Sequence, residues 1–205
     1  MEVQFQEKFA VDGNGTPVKL GRLNLFCDAS GISVPDDAYS IGGFTLTQFG
    51  TPIAWKSQKQ TVRADSTCAS EYIALSDGIQ WAEVWGHLSF FLWEERSRDI
   101  SLVGLPSGTL VWTDSTSAKD VAGSEMQKPS SRYLGIRWFR VKDNSSLIRY
   151  VKTADQKADC FTKPPTLVAI RAILTEFGMC PIQSIRRFSY VTGGKSLVGD
   201  PKFDS

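Results

Sequence analysis

Four carboxylates stand at telling places in this 205-residue sequence. Asp28 closes the apolar-alternating stretch LGRLNLFCDAS, and Asp114 closes the apolar start of TLVWTDSTSAKDVAG. Glu71 falls in the first turn of a helix-periodic segment, and Asp159 in ADQKADCFTK. Acids gathered in one place repel, by about 4 kcal/mol for two unit charges ~4 Å apart at an effective dielectric near 20, so such a set persists only where cations fill it. With oxygen ligands alone and no histidine or thiolate in the set, the expected ions are hard ones, Mg²⁺ first and Mn²⁺ as a substitute. Two such ions about 4 Å apart are a known device for cleaving a phosphodiester, one activating water and the other stabilising the leaving oxygen.

The elements that must position these acids follow from hydrophobic period. LGRLNLFCDAS, YSIGGFTLTQ and TPIAWKSQKQ read as three strands, the last two separated by the turn-like Phe49-Gly50, and form an antiparallel meander. From Asp65 the period changes. Ser66-Thr67 is a cap, and Glu71, Tyr72, Leu75, Ile79, Ala82, Trp85, Leu88 and Leu92 recur at helical spacing. Two apolar stripes predict a long helix packed between the sheet and another helix, with Trp81, Trp85 and Trp93 in the core. TLVWT is a fourth, buried strand leading directly into a helix. Residues 128–144 are helix and loop, and LIRYVKT is a short fifth strand. ADQKADCFTK is predicted to open a helix with Thr153 or Asp155 near its cap, ended by Pro164-Pro165 and followed by the amphipathic TLVAIRAILTEFGM. The fold class is therefore α/β: a five-stranded mixed sheet, three antiparallel strands then two crossover strands, flanked by helices. If the first and fourth strands run parallel and adjacent, Asp28 and Asp114 emerge at the same sheet edge.

Composition is that of an ordinary globular chain, 41% hydrophobic and 22% charged. The formal charge of +1 means that a partner as acidic as nucleic acid must be met by a local basic face. The four cysteines form no CxxC pair and have no histidine companions, which argues against a zinc site or a disulfide scaffold and for free thiols. No signal-peptide core and no apolar run of membrane-spanning length is present, so a soluble, intracellular protein is expected.

The run STCASEYIALSDG resembles the signature helix of the ribonuclease H domains of copia-type LTR retrotransposons. FCDAS, PIAWKSQKQ, VWTDSTSAKD and KADCFTKP resemble further pieces of that family in the same order. The resemblance spans residues 20–165, which it identifies as a ribonuclease H domain of ribonuclease H-like fold, with 1–19 a lead-in segment and 166–205 a C-terminal helix and tail. It implies that Asp28, Glu71, Asp114 and Asp159 are the catalytic, metal-binding acids, that two Mg²⁺ ions assist, and that RNA in an RNA/DNA hybrid is cut to leave a 3′-hydroxyl and a 5′-phosphate. It also implies a parent polyprotein with a reverse transcriptase domain and a location in cytoplasmic virus-like particles or the nucleus. No polymerase accompanies these residues, so an excised or processed domain, or a host gene derived from one, is expected. One departure stands out: Gly135 occupies the place where many members carry a histidine, and His87 lies roughly 24 Å from Glu71 along the helix axis, too far to replace it. Slower activity is expected.

Taken singly, each acid is an ordinary turn or helix-terminal charge; it is their joint placement that points to a site. Lys128, Arg132 and Arg137, with Arg140, Lys142, Arg149 and Lys152, interleave with Tyr133, Trp138 and Phe139 and are the candidates for phosphate contact, or else one solvated basic face. Ser30, Ser115 and Thr116, beside the acids, are candidates for hydrogen bonds to the hybrid's 2′-hydroxyls. Two rivals remain. One is a catalytically weak or inactive ribonuclease H-like module that binds nucleic acid or protein as a tether or domesticated host protein. The other is an integrase or transposase, disfavoured because that class needs a late-helix glutamate where Asp159 stands.

Overall fold

The computed structural model describes residues 9–11, 17–19, 23–31, 39–93, 105, 108–127 and 129–176. Its centre is β3 (Leu23–Ala29), buried along its whole length. A strand covered on both faces can carry a near-continuous apolar run, and LNLFCDA does so, with Asn24 and Asp28 as its polar members. On one side β3 pairs antiparallel with β4 (Ile41–Gln48), which turns through Phe49-Gly50 into β5 (Thr51–Lys59). On the other it pairs parallel with β6 (Thr109–Thr113), which pairs parallel with β7 (Ile148–Tyr150). The order β5-β4-β3-β6-β7 is the expected five-stranded mixed sheet, three antiparallel strands followed by two crossover strands.

The crossover from β5 to β6 contains α1 (Thr67–Trp93), whose first turn is capped by Ser66 Oγ accepting from the Ala69 amide at 3.1 Å. Tyr72, Ile73, Leu75, Ile79 and Ala82 of α1 join Leu25, Cys27, Phe44 and Leu46 of the sheet in the main core. α1 also meets α3 (Ile136–Asp143), where the Tyr72 hydroxyl donates to the Trp138 carbonyl at 3.1 Å. The helix thus lies between sheet and helix as expected, but the contact to α3 is made by Tyr72, Ser76 and Asp77, while Trp81 and Leu88 of the second stripe are exposed. Its closest approach to the sheet is at Gly78: a Cβ there would stand 2.5 Å from Cys27 Sγ and 3.3 Å from both Leu25 methyls. Across the sheet, Phe26 stacks on Trp112 at 5.9 Å, with Val151 and Ala158 beneath.

Three expectations change. ADQKADCFTK is not a helix but two 3-10 turns, Thr153–Asp155 and Asp159–Phe161. Long-range bonds explain this: the Gln156 side chain donates to the Cys27 carbonyl at 2.8 Å and the Ser57 hydroxyl to the Phe161 carbonyl at 2.5 Å, straps that a continuous helix would break. Trp81 is 42% exposed rather than in the core, its ring near Phe44 and under the Lys56 ammonium; the Trp93 side chain lies outside the described residues. The lead-in holds a small antiparallel pair of its own, β1 (Phe9–Val11) with β2 (Pro17–Lys19). Cys27, Cys68 and Cys160 are free thiols. α2 (Thr116–Gly123) follows β6, α4 (Leu167–Glu176) follows Pro164-Pro165, and no described helix is long and apolar enough to cross a membrane.

Candidate metal centre

The parallel pairing of β3 with β6 brings their C-terminal ends together, the edge at which parallel sheets expose ligand-binding groups. Asp28 is the penultimate residue of β3 and Asp114 follows the last residue of β6. Glu71 enters from α1, one turn beyond the cap. One carboxylate oxygen from each of Asp28, Glu71 and Asp114 lies within 4.8 Å of the other two. Asp28 is buried and the other two are half-buried.

Neighbouring chain supports each acid. Thr162 Oγ1 donates to the Asp28 carboxylate, and it arrives there because residue 43, opposite Asp28 in the β3–β4 ladder, is glycine. A Cβ on Gly43 would meet Phe161 Cβ and Thr162 Cγ2 at 2.9 Å. Glu71 accepts a hydrogen bond from the Ala29 backbone, while its Oε2 is buried with no partner. Asp114 immediately precedes Ser115, whose Oγ caps α2 by accepting from the Ala118 amide at 3.1 Å.

Burial pushes the Glu71 carboxyl up to about 8, with the charges of Asp28 and Asp114 adding to the rise and the Ala29 bond and Lys163 opposing it. Asp28 is raised as well, chiefly by burial; Thr162 and Lys163 pull it down, and Asp114 and Asp159 push it up. With Asp28 and Glu71 both raised by burial and Glu71 Oε2 buried without a hydrogen-bond partner, the set is suited to a hard divalent cation. The donor set fits Mg²⁺ or Mn²⁺, since all three ligands are carboxylate oxygens.

Asp159 is not in this set of three. It sits on the second 3-10 turn, and its carboxylate is ion-paired with Lys163. It is close enough to raise Asp28 through its charge. Thr162 and Lys163 were not singled out from sequence; the bond from Thr162 to Asp28 spans 134 residues, so no local pattern signals it.

The candidate nucleic-acid contacts are scattered. Ser30 is buried, its hydroxyl accepting from the Ile41 amide at 3.3 Å. Ser115 is engaged in capping, and Thr116 is exposed beside it. Arg132 is exposed, whereas Arg137 turns to Asp77 of α1 at 3.6 Å and Arg140 to Ser76 at 3.3 Å. Lys142 donates to the Gly123 carbonyl and Arg149 to those of Ser146 and Ile148. Much of the basic segment is thus spent on internal contacts, and Lys128 lies outside the described residues. Gly135 has φ of +52° and ψ of −126°, outside the left-handed well that histidine can enter, so a glycine suits this backbone better than the histidine would. His87 is half-buried with Nε2 unpartnered.

No protein-family model matches the sequence, and no curated protein matches it. Among solved structures, the chain is similar to the N-terminal ribonuclease H domain of a Mycobacterium tuberculosis protein, solved as a fusion with maltose-binding protein. The TM-score is 0.48 at 16% identity, over 74% of this chain and 98% of that one. It is also similar to a ribonuclease H1 isolated from compost by a metagenomic approach, with a TM-score of 0.47 at 14% identity, over 75% of this chain and 99% of that one.

Proposed function

We propose that this chain is a metal-dependent endonuclease that hydrolyses the RNA strand of RNA/DNA hybrids, in the setting of retrotransposon reverse transcription. The observation that carries the reading is the convergence of Asp28, Glu71 and Asp114, from two strand ends and a helix, within 4.8 Å at one sheet edge. These three would hold the ion, with Asp159 a further acid whose charge reaches Asp28. When bound, Mg²⁺ or Mn²⁺ supplies charge neutralisation and Lewis acidity at the scissile phosphodiester.

The chain's own residues do the rest. Thr162 fixes the orientation of Asp28, the Ala29 backbone holds Glu71, and capping of α2 by Ser115 fixes the backbone next to Asp114. Such preorganisation keeps the acids aimed at one point instead of at bulk water. Hydrolysis breaks the phosphorus–O3′ bond, and the products are a 3′-hydroxyl and a 5′-phosphate. Thr116, Arg132 and Lys152 are candidate residues with exposed side chains for contact with the hybrid.

A labelled RNA/DNA duplex incubated with Mg²⁺ tests the proposal. The native chain should cut the RNA strand, and Asp114→Asn should reduce cutting by at least a hundredfold while also removing the stabilisation that Mg²⁺ confers. Unchanged cleavage and unchanged stabilisation in that variant would remove Asp114 from the site. The second reading, a binding module without catalysis, draws on the pairing of Asp159 with Lys163 outside the acid set; binding of the duplex without cleavage at any enzyme concentration would favour it.

A further inference from the structure

Around the acid set, the cation whose field acts on both Asp28 and Glu71 is Lys163. The cations near Asp77, namely Arg137, Lys56 and Arg140, serve a different carboxylate. Lys163 is held in place by a compact turn: its own amide donates to the Asp159 carbonyl at 3.1 Å, the Thr162 hydroxyl donates to the same carbonyl at 3.1 Å, and Thr162 also donates to Asp28. Its ammonium is bonded to the Asp159 carboxylate four residues back. Burial pulls the Lys163 ammonium down, but the bond to Asp159 and the charges of Asp28, Asp159 and Asp114 outweigh it and hold the group above the ordinary lysine value.

We propose that Lys163 is the internal counter-ion of the acid cluster, holding Asp159 apart from Asp28, Glu71 and Asp114 until a divalent cation takes its place. The inference rests on the metal-centre reading above. Four acids and one ammonium share the neighbourhood, so the ion-free protein tolerates its negative charge partly through Lys163. An arriving cation meets the positive charge of that ammonium, and Asp159 joins the ligands only by giving up its ion pair. Lys163 therefore weakens ion binding while stabilising the ion-free fold, and acts as a positioning residue through Asp159.

Mn²⁺ alone, titrated into the full chain and followed by calorimetry, tests this together with thermal melting of the ion-free protein. Lys163→Met keeps the length of the side chain and removes the charge. It should bind Mn²⁺ about three- to tenfold more tightly and melt about 2–4 °C lower without the ion, and Lys163→Arg should restore both values to near native. A purely structural lysine would move affinity and melting temperature in the same direction. Unchanged or weaker Mn²⁺ binding by a folded Lys163→Met would overturn the proposal while leaving the metal centre intact; should that variant not fold, Lys163→Gln carries the same comparison. If the native chain binds no Mn²⁺, both readings fall together.

Discussion

Adding Mg²⁺ to the ion-free protein at pH 7 should expel close to one proton, and most of it should come from Glu71. With its carboxyl pushed up to about 8 by burial and by Asp28 and Asp114, Glu71 is about nine-tenths protonated at pH 7. A divalent cation requires the ionised form, so binding displaces that proton. Apparent affinity should climb by up to about tenfold per pH unit from pH 5 to 8 and level off above. The same shift governs stability. A folded-state value raised above the unfolded one favours the protonated fold, so the contribution is complete below about 4.5 and is lost as pH rises through about 8. At about 1.36 kcal/mol per pH unit, the rise from 4.5 to about 8 amounts to at most roughly 5 kcal/mol. The ion-free protein should therefore lose stability between pH 5 and 8.5, and Mg²⁺ should raise the melting temperature more at pH 8.5 than at pH 6. Calorimetry in two buffers of different protonation enthalpy counts the protons, and melting curves across pH 5–9 with and without Mg²⁺ follow the stability. Ion binding at pH 7 with no proton released, or a larger Mg²⁺-induced shift at pH 6, would refute the reasoning.

Two substitutions extend the test. Glu71→Gln should abolish cleavage yet raise the melting temperature of the ion-free protein at pH 8.5, because the buried charge is gone; a lower melting temperature at that pH would contradict the assigned protonation. Gly43→Ala introduces a methyl 2.9 Å from Phe161 Cβ and Thr162 Cγ2 and should cost about 1–3 kcal/mol, measured by urea unfolding, while weakening Mg²⁺ binding by displacing Thr162 from Asp28.

The strands and the long helix were legible because their hydrophobic period is regular and their boundaries coincide with acids, caps and turns. Asp28 and Asp114 could be placed from that pattern alone, since a strand that ends in a carboxylate before small residues puts the acid at a sheet edge. The Asp159 segment was misread because its conformation is set elsewhere: Gln156 bonds to Cys27, Phe161 to Ser57 and Thr162 to Asp28. Helix periodicity in a ten-residue window competes poorly with three such bonds. Trp81 was assigned to the core by its stripe, but its position on α1 leaves it beside Phe44 with one face toward Lys56. The short strands β1 and β2 flank Asp12-Gly13-Asn14-Gly15, a turn signal present in the sequence, although each has only three residues and no alternation to register.

The near-contact of Gly78 with Cys27 and Leu25 reaches beyond packing. Any side chain at residue 78 would have to push α1 off β3, and the carboxyl that α1 delivers would move away from the one on β3 with it. The bare backbone of one glycine, about two turns along the helix, thus sets how near two of the clustered acids come.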